Sequence, residues 1–253
     1  METIQQLMQA LRDEDPSKRM RASLELAAHG EAAVEPLVAS LTQGALEVRK
    51  AAARALGYTG SPAALQALLE QLNRESGPVI PFIIDALAEL ASPAAVPALR
   101  EAASSPDMAI RYNAIRALGM IADRSALAVL VEALDDPASI VRQRAVQSLA
   151  RLRDASLWVP LWEMLNDSSA GVRAVAAKAL GALKEDRAVE RLGRLLTSSF
   201  TGDRLAAVDA LGSIGTPDAA AILAVAQLDE GDGEVRQAID RALESLMAAG
   251  DTD

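Results

Sequence analysis

Apolar residues recur along this chain at helical spacing, in paired stretches that repeat about every 31 residues. The segment Asp123 to Leu152 shows the unit. Ala126, Leu127, Leu130, Ala133 and Leu134 fall at i, i+1, i+4, i+7 and i+8, one face of a helix. Asp123 and Ser125 are candidate caps for its start, and Asp135-Asp136-Pro137 stops it. Ser139 is then the expected cap of a second helix, whose stripe is Val141, Ala145, Ser148 and Leu149. Neither helix can bury its stripe alone, so the hairpins must stack on one another. Alternation with period 2 is absent over a strand's length, which predicts an all-α chain.

The stacking is repeated along the whole sequence. An arginine recurs at Arg19, Arg49, Arg111, Arg142, Arg173, Arg204 and Arg236, with Ile80 in the slot between Arg49 and Arg111. Seven residues after each slot stands a leucine, from Leu26 and Leu56 to Leu243. Eight residues after it stands a small residue (Gly57, Gly119, Gly181 and Gly212 among them), which suggests close approach of neighbouring hairpins, whereas Glu244 fills that position in the last unit, as in a capping repeat. Gly30, Gly60 and Gly215 lie eleven residues after their slots, where a left-handed residue would close the second helix. Pro62, Pro93 and Pro217 each follow Ser or Thr, the cap-then-proline opening of a first helix. The expected architecture is an α-solenoid, a right-handed superhelix of about eight hairpins forming a single domain over residues 1–253.

Written out, the second helices read V-R-x-x-A-x-x-A-L-G (Val172–Gly181 is VRAVAAKALG) and the first helices A-x-x-x-L-x-x-x-L. This pattern resembles the short HEAT-like repeats first associated with phycobilisome lyase subunits, over about Thr3 to Leu246. The resemblance implies that the arginine column forms a ladder with acids of adjacent turns. Asp15, Asp107, Asp136 and Asp167, four to six residues before their arginines, fit that role. These repeats host many unrelated roles; the leading functional expectation is a non-enzymatic scaffold or adaptor that binds another protein along its inner surface. The alternatives the resemblance raises are a phycobilin lyase-type or phycobiliprotein-interacting chaperone subunit, and an adaptor for an iron–sulfur assembly protein.

Composition narrows the chemistry. Apolar residues make up 51% of the chain but aromatic residues only 2%, so the core is built from close-packed small and aliphatic side chains. The net charge is −10, which repels a phosphate backbone and argues against nucleic acid as a partner. No apolar run reaches the roughly 18–20 residues that span a bilayer, so no membrane partner is expected. Zero cysteines exclude disulfides, thiolate metal sites and cysteine nucleophiles, and fit a cytoplasmic location. His29 is the single histidine, placed at a helix end, and HEAT-like enzymes with paired His-Glu iron ligands have no counterpart here. Phosphate-binding glycine loops and nucleophile elbows are absent. No catalytic, cofactor or metal residue is expected, and no cofactor.

The informative variation lies one and five positions after each arginine slot, a stripe that stacked second helices would line along the inner surface. In the middle of the chain it reads Lys50, Arg54, Tyr112, Arg116, Gln143, Gln147 and Lys178, a polar, locally basic strip expected to bind the partner. Trp158 is expected in the core, and Trp162 either in packing or as a secondary contact. The run Gly77–Ile84, with Ile80 in place of arginine, must interrupt the ladder; Phe82, Ile83 and Ile84 cannot all face solvent, so a weaker seam is favoured over an apolar patch for a partner.

Overall fold

The computed structural model describes residues 2–250, with the side chains at 155, 249 and 250 outside it. Among the described residues it holds sixteen α-helices and no strand, the all-α repeat architecture the period predicts. The hairpins are α1 (Ile4–Ala10) with α2 (Pro16–Ala28), α3 (Val34–Gln43) with α4 (Leu46–Tyr58), α5 (Pro62–Arg74) with α6 (Ile80–Leu90), and α7 (Val96–Ala102) with α8 (Met108–Ile121). They continue as α9 (Leu127–Glu132) with α10 (Ser139–Leu152), α11 (Trp158–Glu163) with α12 (Ala170–Ala182), α13 (Val189–Leu195) with α14 (Thr201–Ile214), and α15 (Pro217–Asp229) with α16 (Gly233–Gly250). The chain divides into two compact units, Met1–Val129 and Leu130–Asp253.

Within each unit the second helices form the spine. In the first, α2, α4, α6 and α8 pack side by side; in the second, α10, α12, α14 and α16 do so, and the first helices touch each other less. Alanine makes this possible. In α4, Ala51, Ala52, Ala53 and Ala55 are all buried around Leu56. At two of the small slots there is no room for even one carbon: a Cβ on Gly57 would lie 2.7 Å from the Ala86 Cα, and one on Gly181 would lie 2.7 Å from the Ala210 Cα. The leucines seven residues after the arginine slots, such as Leu56, Leu118, Leu149 and Leu180, are fully buried. Each contributes about 1.5–3 kcal/mol by burial.

The caps follow the sequence at Ser61, Thr216 and Asp123 but not at Ser139, nor at Ser92, whose side chain makes no cap bond ahead of Pro93. Ser61 and Thr216 accept from backbone amides ahead of Pro62 and Pro217, and Asp123 accepts from Ser125 N, as expected. Ser139, however, is the first residue of α10 and not its cap; Ala138 holds that position, and Asp136 steadies the turn by accepting from Ala138 N at 2.8 Å. A carboxylate two residues ahead of the amide reaches it in an Asx-type turn, so a hydroxyl at 139 is not needed.

Every hairpin junction turns through a left-handed residue eleven positions after the arginine slot: Gly30, Gly60 and Gly215, but also Ala91, Ala122, Arg153 and Lys184, with φ between 48° and 75°. A side chain in this region costs about 1–2 kcal/mol, against an unfolded-state entropy cost of about 0.5–1 kcal/mol for glycine. Ala122→Gly is therefore expected to stabilise the chain by about 0.5–1 kcal/mol, read as a raised urea midpoint at unchanged m-value.

At Gly77–Ile84 the apolar run replaces the missing rung with core. Val79, Ile83 and Ile84 are fully buried, and α6 packs against both α4 and α8. The rung before it is complete, because Arg49 pairs with Glu75 in the turn just ahead of α6.

Candidate functional site

The arginine column turns out to be a two-way tie. Arg19, Arg49, Arg142, Arg173 and Arg204 each donate backward to a carbonyl at or before their own turn and forward to an acid of the next repeat. Arg142 donates to Asp136 O at 2.9 Å and, through Nε and Nη2, to both oxygens of Asp167 at 2.7 and 2.8 Å. Arg173 donates to Asp167 O at 2.7 Å and to Asp203 Oδ2 at 2.9 and 2.6 Å. Arg204 donates to Ser198 O and to Glu230 at 2.9 Å. Arg19 reaches Glu47 at 3.5 Å. The acid preceding each arginine thus does not pair with it. Asp15, Asp107 and Asp167 accept from backbone amides of their own turns instead, at 2.7–2.8 Å. The partner lies one repeat further on because the stack, and not the local turn, brings the next carboxylate to the open side of the fork. Burial works to raise the Asp167 carboxyl, but hydrogen bonds from Arg142 and the Ser169 amide outweigh it and hold it below its ordinary value. These arginines are structural.

The inner strip gathers in the first unit. Arg54, Tyr58, Phe82, Asp85, Glu89 and Arg116, from α4, α6 and α8, line one cavity of about 100 Å³. The Phe82 ring is its floor. Lys50 Nζ lies 5.3 Å from the ring centroid and the Arg54 guanidinium 6.0 Å, within cation–π range. Lys50 also donates to Glu47 at 2.8 Å. Arg116 pairs with Asp85 and donates to Met120 Sδ at 3.0 Å. The strip is therefore less basic than its composition: two of its cations meet carboxylates. Tyr112 is half-buried on α8. In the second unit, Gln143 lies against Gly171, Gln147 is half-buried, and Lys178 is exposed. Of the seven strip residues, Arg54 and Arg116 line this cavity, with Lys50 over its aromatic floor.

Sequence reasoning missed Phe82 and Tyr58. Phe82 is half-buried, two positions after the Ile80 slot, with its face turned to the cations of α4. The signal was available: an aromatic residue beside the stripe with Lys and Arg one repeat earlier. Trp158 also departs from expectation. It is half-buried, not core, because Leu157 and Leu161 take the buried positions of α11. Its ring is covered by the Arg187 guanidinium at 4.0 Å, and Trp162 is covered by Arg191 at 4.0 Å. Arg187 is held in place by Glu185 and Arg191 by Asn166. One ring face of each tryptophan is thus covered by an arginine of the next repeat. Among the described residues no group of three or more His, Asp or Glu could hold a metal ion, and no helix is long and apolar enough to cross a membrane.

Stacked helical hairpins tied by an arginine–acid ladder define an α-helical repeat protein, a class whose surfaces vary while its spine stays constant. The family model for HEAT repeats matches residues 4–82, 81–150 and 159–244. The chain belongs to the HEAT-repeat family. No curated protein matches it in sequence. Among solved structures it is similar to YibA of Escherichia coli, at 19% identity over 96% of this chain and 93% of that one, with a TM-score of 0.67. It is also similar to an engineered protein, at 25% identity over 96% of this chain and 78% of that one, TM-score 0.53. The complex of CpcE and CpcF of phycocyanin lyase from Nostoc matches at 20% identity over 97% of this chain and 95% of that chain, TM-score 0.47.

Proposed function

We propose that this protein is a non-enzymatic scaffold that holds a partner protein along the surface formed by its second helices. The observation that carries this reading is the cavity of the first unit, where Arg54, Arg116, Asp85, Tyr58 and Phe82 converge from three successive second helices. An exposed aromatic flanked by arginines is the composition of an interface hot spot. Met20 and Leu24, 40% and 51% exposed on α2, extend the apolar part of the same stripe. The partner contact set is Lys50, Arg54, Tyr112, Arg116, Gln143, Gln147 and Lys178, with Phe82 added and Trp162 as a secondary contact. The solenoid is proposed to act as one domain over residues 1–253, in the cytoplasm, without cofactor, nucleic acid or membrane.

Reversing charge at Arg54, Arg116 and Lys178 together is expected to abolish capture of the partner in a pull-down while the melting temperature stays within a few degrees. The Arg116–Asp85 pair has side chains 25% and 50% exposed, and such pairs contribute about 0–1 kcal/mol. Undiminished capture by the triple variant would reject the inner strip as the binding surface. Incubation with phycocyanobilin separates this reading from chromophore handling: a red-shifted visible band would favour the latter.

A further inference from the structure

α15 is apolar on every side. Ala219 and Leu223 are buried, which accounts for one face. On the others, Val225 is 65% and Leu228 81% exposed, with Ala221 and Ala224 exposed between them. A helix that is apolar all round belongs in a core or against a partner. Beside it, between α13 and α15, lies a cavity of about 530 Å³, lined by Gly193, Leu196, Ile222 and Val225 and ending at Asp229. Gly193 opens it. This position corresponds in the repeat to Trp162, and without a side chain there Ile222 settles to within 3.0 Å of where a Cβ would be. Arg204 also lines the cavity, but its charge is met by Glu230 at 2.9 Å.

The surroundings are strongly acidic. Residues 216–248 carry seven carboxylates and two arginines, 2 − 7 = −5 of the chain's net −10, and Asp229 and Glu230 line the cavity itself. Both α13 and α15 end beside the cavity, at Leu195 and Asp229, so two helix C-termini add negative potential there. Apolar surface with an acidic border is complementary to one kind of occupant. We infer that the α13–α15 groove and the exposed face of α15 dock a basic amphipathic helix of a partner protein, with aliphatic residues in the cavity and lysine or arginine toward Asp229 and its neighbours. This surface is on the first helices and is separate from the inner strip.

The test uses the full chain and a fluorescent 18-residue peptide of leucine and lysine, with leucine at i, i+3, i+4 and i+7. Two controls carry the same composition in scrambled order, and glutamate in place of lysine. Binding of the amphipathic basic peptide is expected, weakening as salt rises, with at least tenfold weaker binding of either control. Val225→Asp and Leu228→Asp should each weaken it at least tenfold; these changes retain the attraction for cations, so the loss reports apolar contact. Asp229→Lys should weaken it and flatten the salt dependence. All three residues are exposed, and circular dichroism checks that the variants remain helical. The inner-strip triple variant should bind the peptide like the unmodified chain, so this result and that of the partner pull-down are independent. Equal binding of the scrambled peptide would reduce the effect to charge alone and overturn the inference. So would no binding at all, or an effect of Val225→Asp without one of Leu228→Asp, since Leu228 lies outside the cavity and only a small apolar molecule would ignore it. A dimer in sedimentation that Leu228→Asp dissociates would assign the face to a second copy of this chain and likewise overturn it.

Discussion

Replacing Asp203 with alanine is expected to cost about 3–5 kcal/mol of unfolding free energy, the largest loss of any single ladder residue. Asp203 is fully buried. Its Oδ2 accepts from Arg173 Nε and Nη2 at 2.9 and 2.6 Å and from Ser198 Oγ at 2.7 Å, while Oδ1 has no hydrogen-bond partner among the described residues. The Arg173 side chain is 14% exposed and its guanidinium lies 5.4 Å from the Phe200 ring. Removing the carboxylate leaves that largely buried cation without its counter-charge, held only by the Asp167 and Ser168 carbonyls, which is why the single change is severe. Removing both charges is different. A double variant with leucine at 173 and 203 avoids two desolvation costs and is expected to recover most of the loss. Urea unfolding of the two single variants and the double variant checks this. A loss below about 1 kcal/mol for Asp203→Ala would show that the rung is solvated in solution. In a quasi-one-dimensional fold the damage should also be local, with amide exchange faster in α12 and α14 than in α2 and α4.

The second large effect is expected from one added methyl group. Gly181→Ala should destabilise by about 1–3 kcal/mol even though alanine favours a helix over glycine by about 1 kcal/mol. The new Cβ would lie 2.7 Å from the Ala210 Cα and 3.0 Å from its Cβ, and backbone cannot step aside as a flexible side-chain end can. The α12–α14 pair would have to separate. Gly212 provides the contrast on the next interface, where an added Cβ first meets the Ala242 Cβ at 3.2 Å. There the propensity gain competes with a small displacement, and Gly212→Ala is expected within about 0.5 kcal/mol of the unmodified chain. Thermal and urea unfolding of the pair of variants tests the ordering. Equal effects at both positions would mean that the small slot reflects helix-end propensity and not interhelical approach.

These two positions also show how far the residues speak for themselves. Gly181 was recognisable in the sequence, because a small residue at a fixed place in every unit but the last points to close approach of the neighbouring unit. The hairpins, their turns, the buried leucines and the left-handed junctions were legible for the same reason: each is set by local periodicity and repeated until chance is excluded. The left-handed residues at Ala91, Ala122, Arg153 and Lys184 were not singled out, since no glycine marks them. Their conformation is imposed by the packing on either side. Asp203 likewise carried no local sign. It sits inside a helix, 30 residues from the arginine it neutralises, and only stacking brings the two together. The candidate site divides in the same way. The variable stripe with Arg54 and Arg116 followed from the repeat, because positions free of packing are free to differ. That Phe82 turns its face to Lys50 and Arg54, and that Arg187 and Arg191 cover the tryptophans, depended on side chains from neighbouring hairpins meeting across an interface. The sequence by itself determined what each repeat is, since helix periodicity and turn chemistry act within some thirty residues. Tertiary structure alone decided which charges and rings meet, since those partners are chosen by the neighbour a repeat is stacked on.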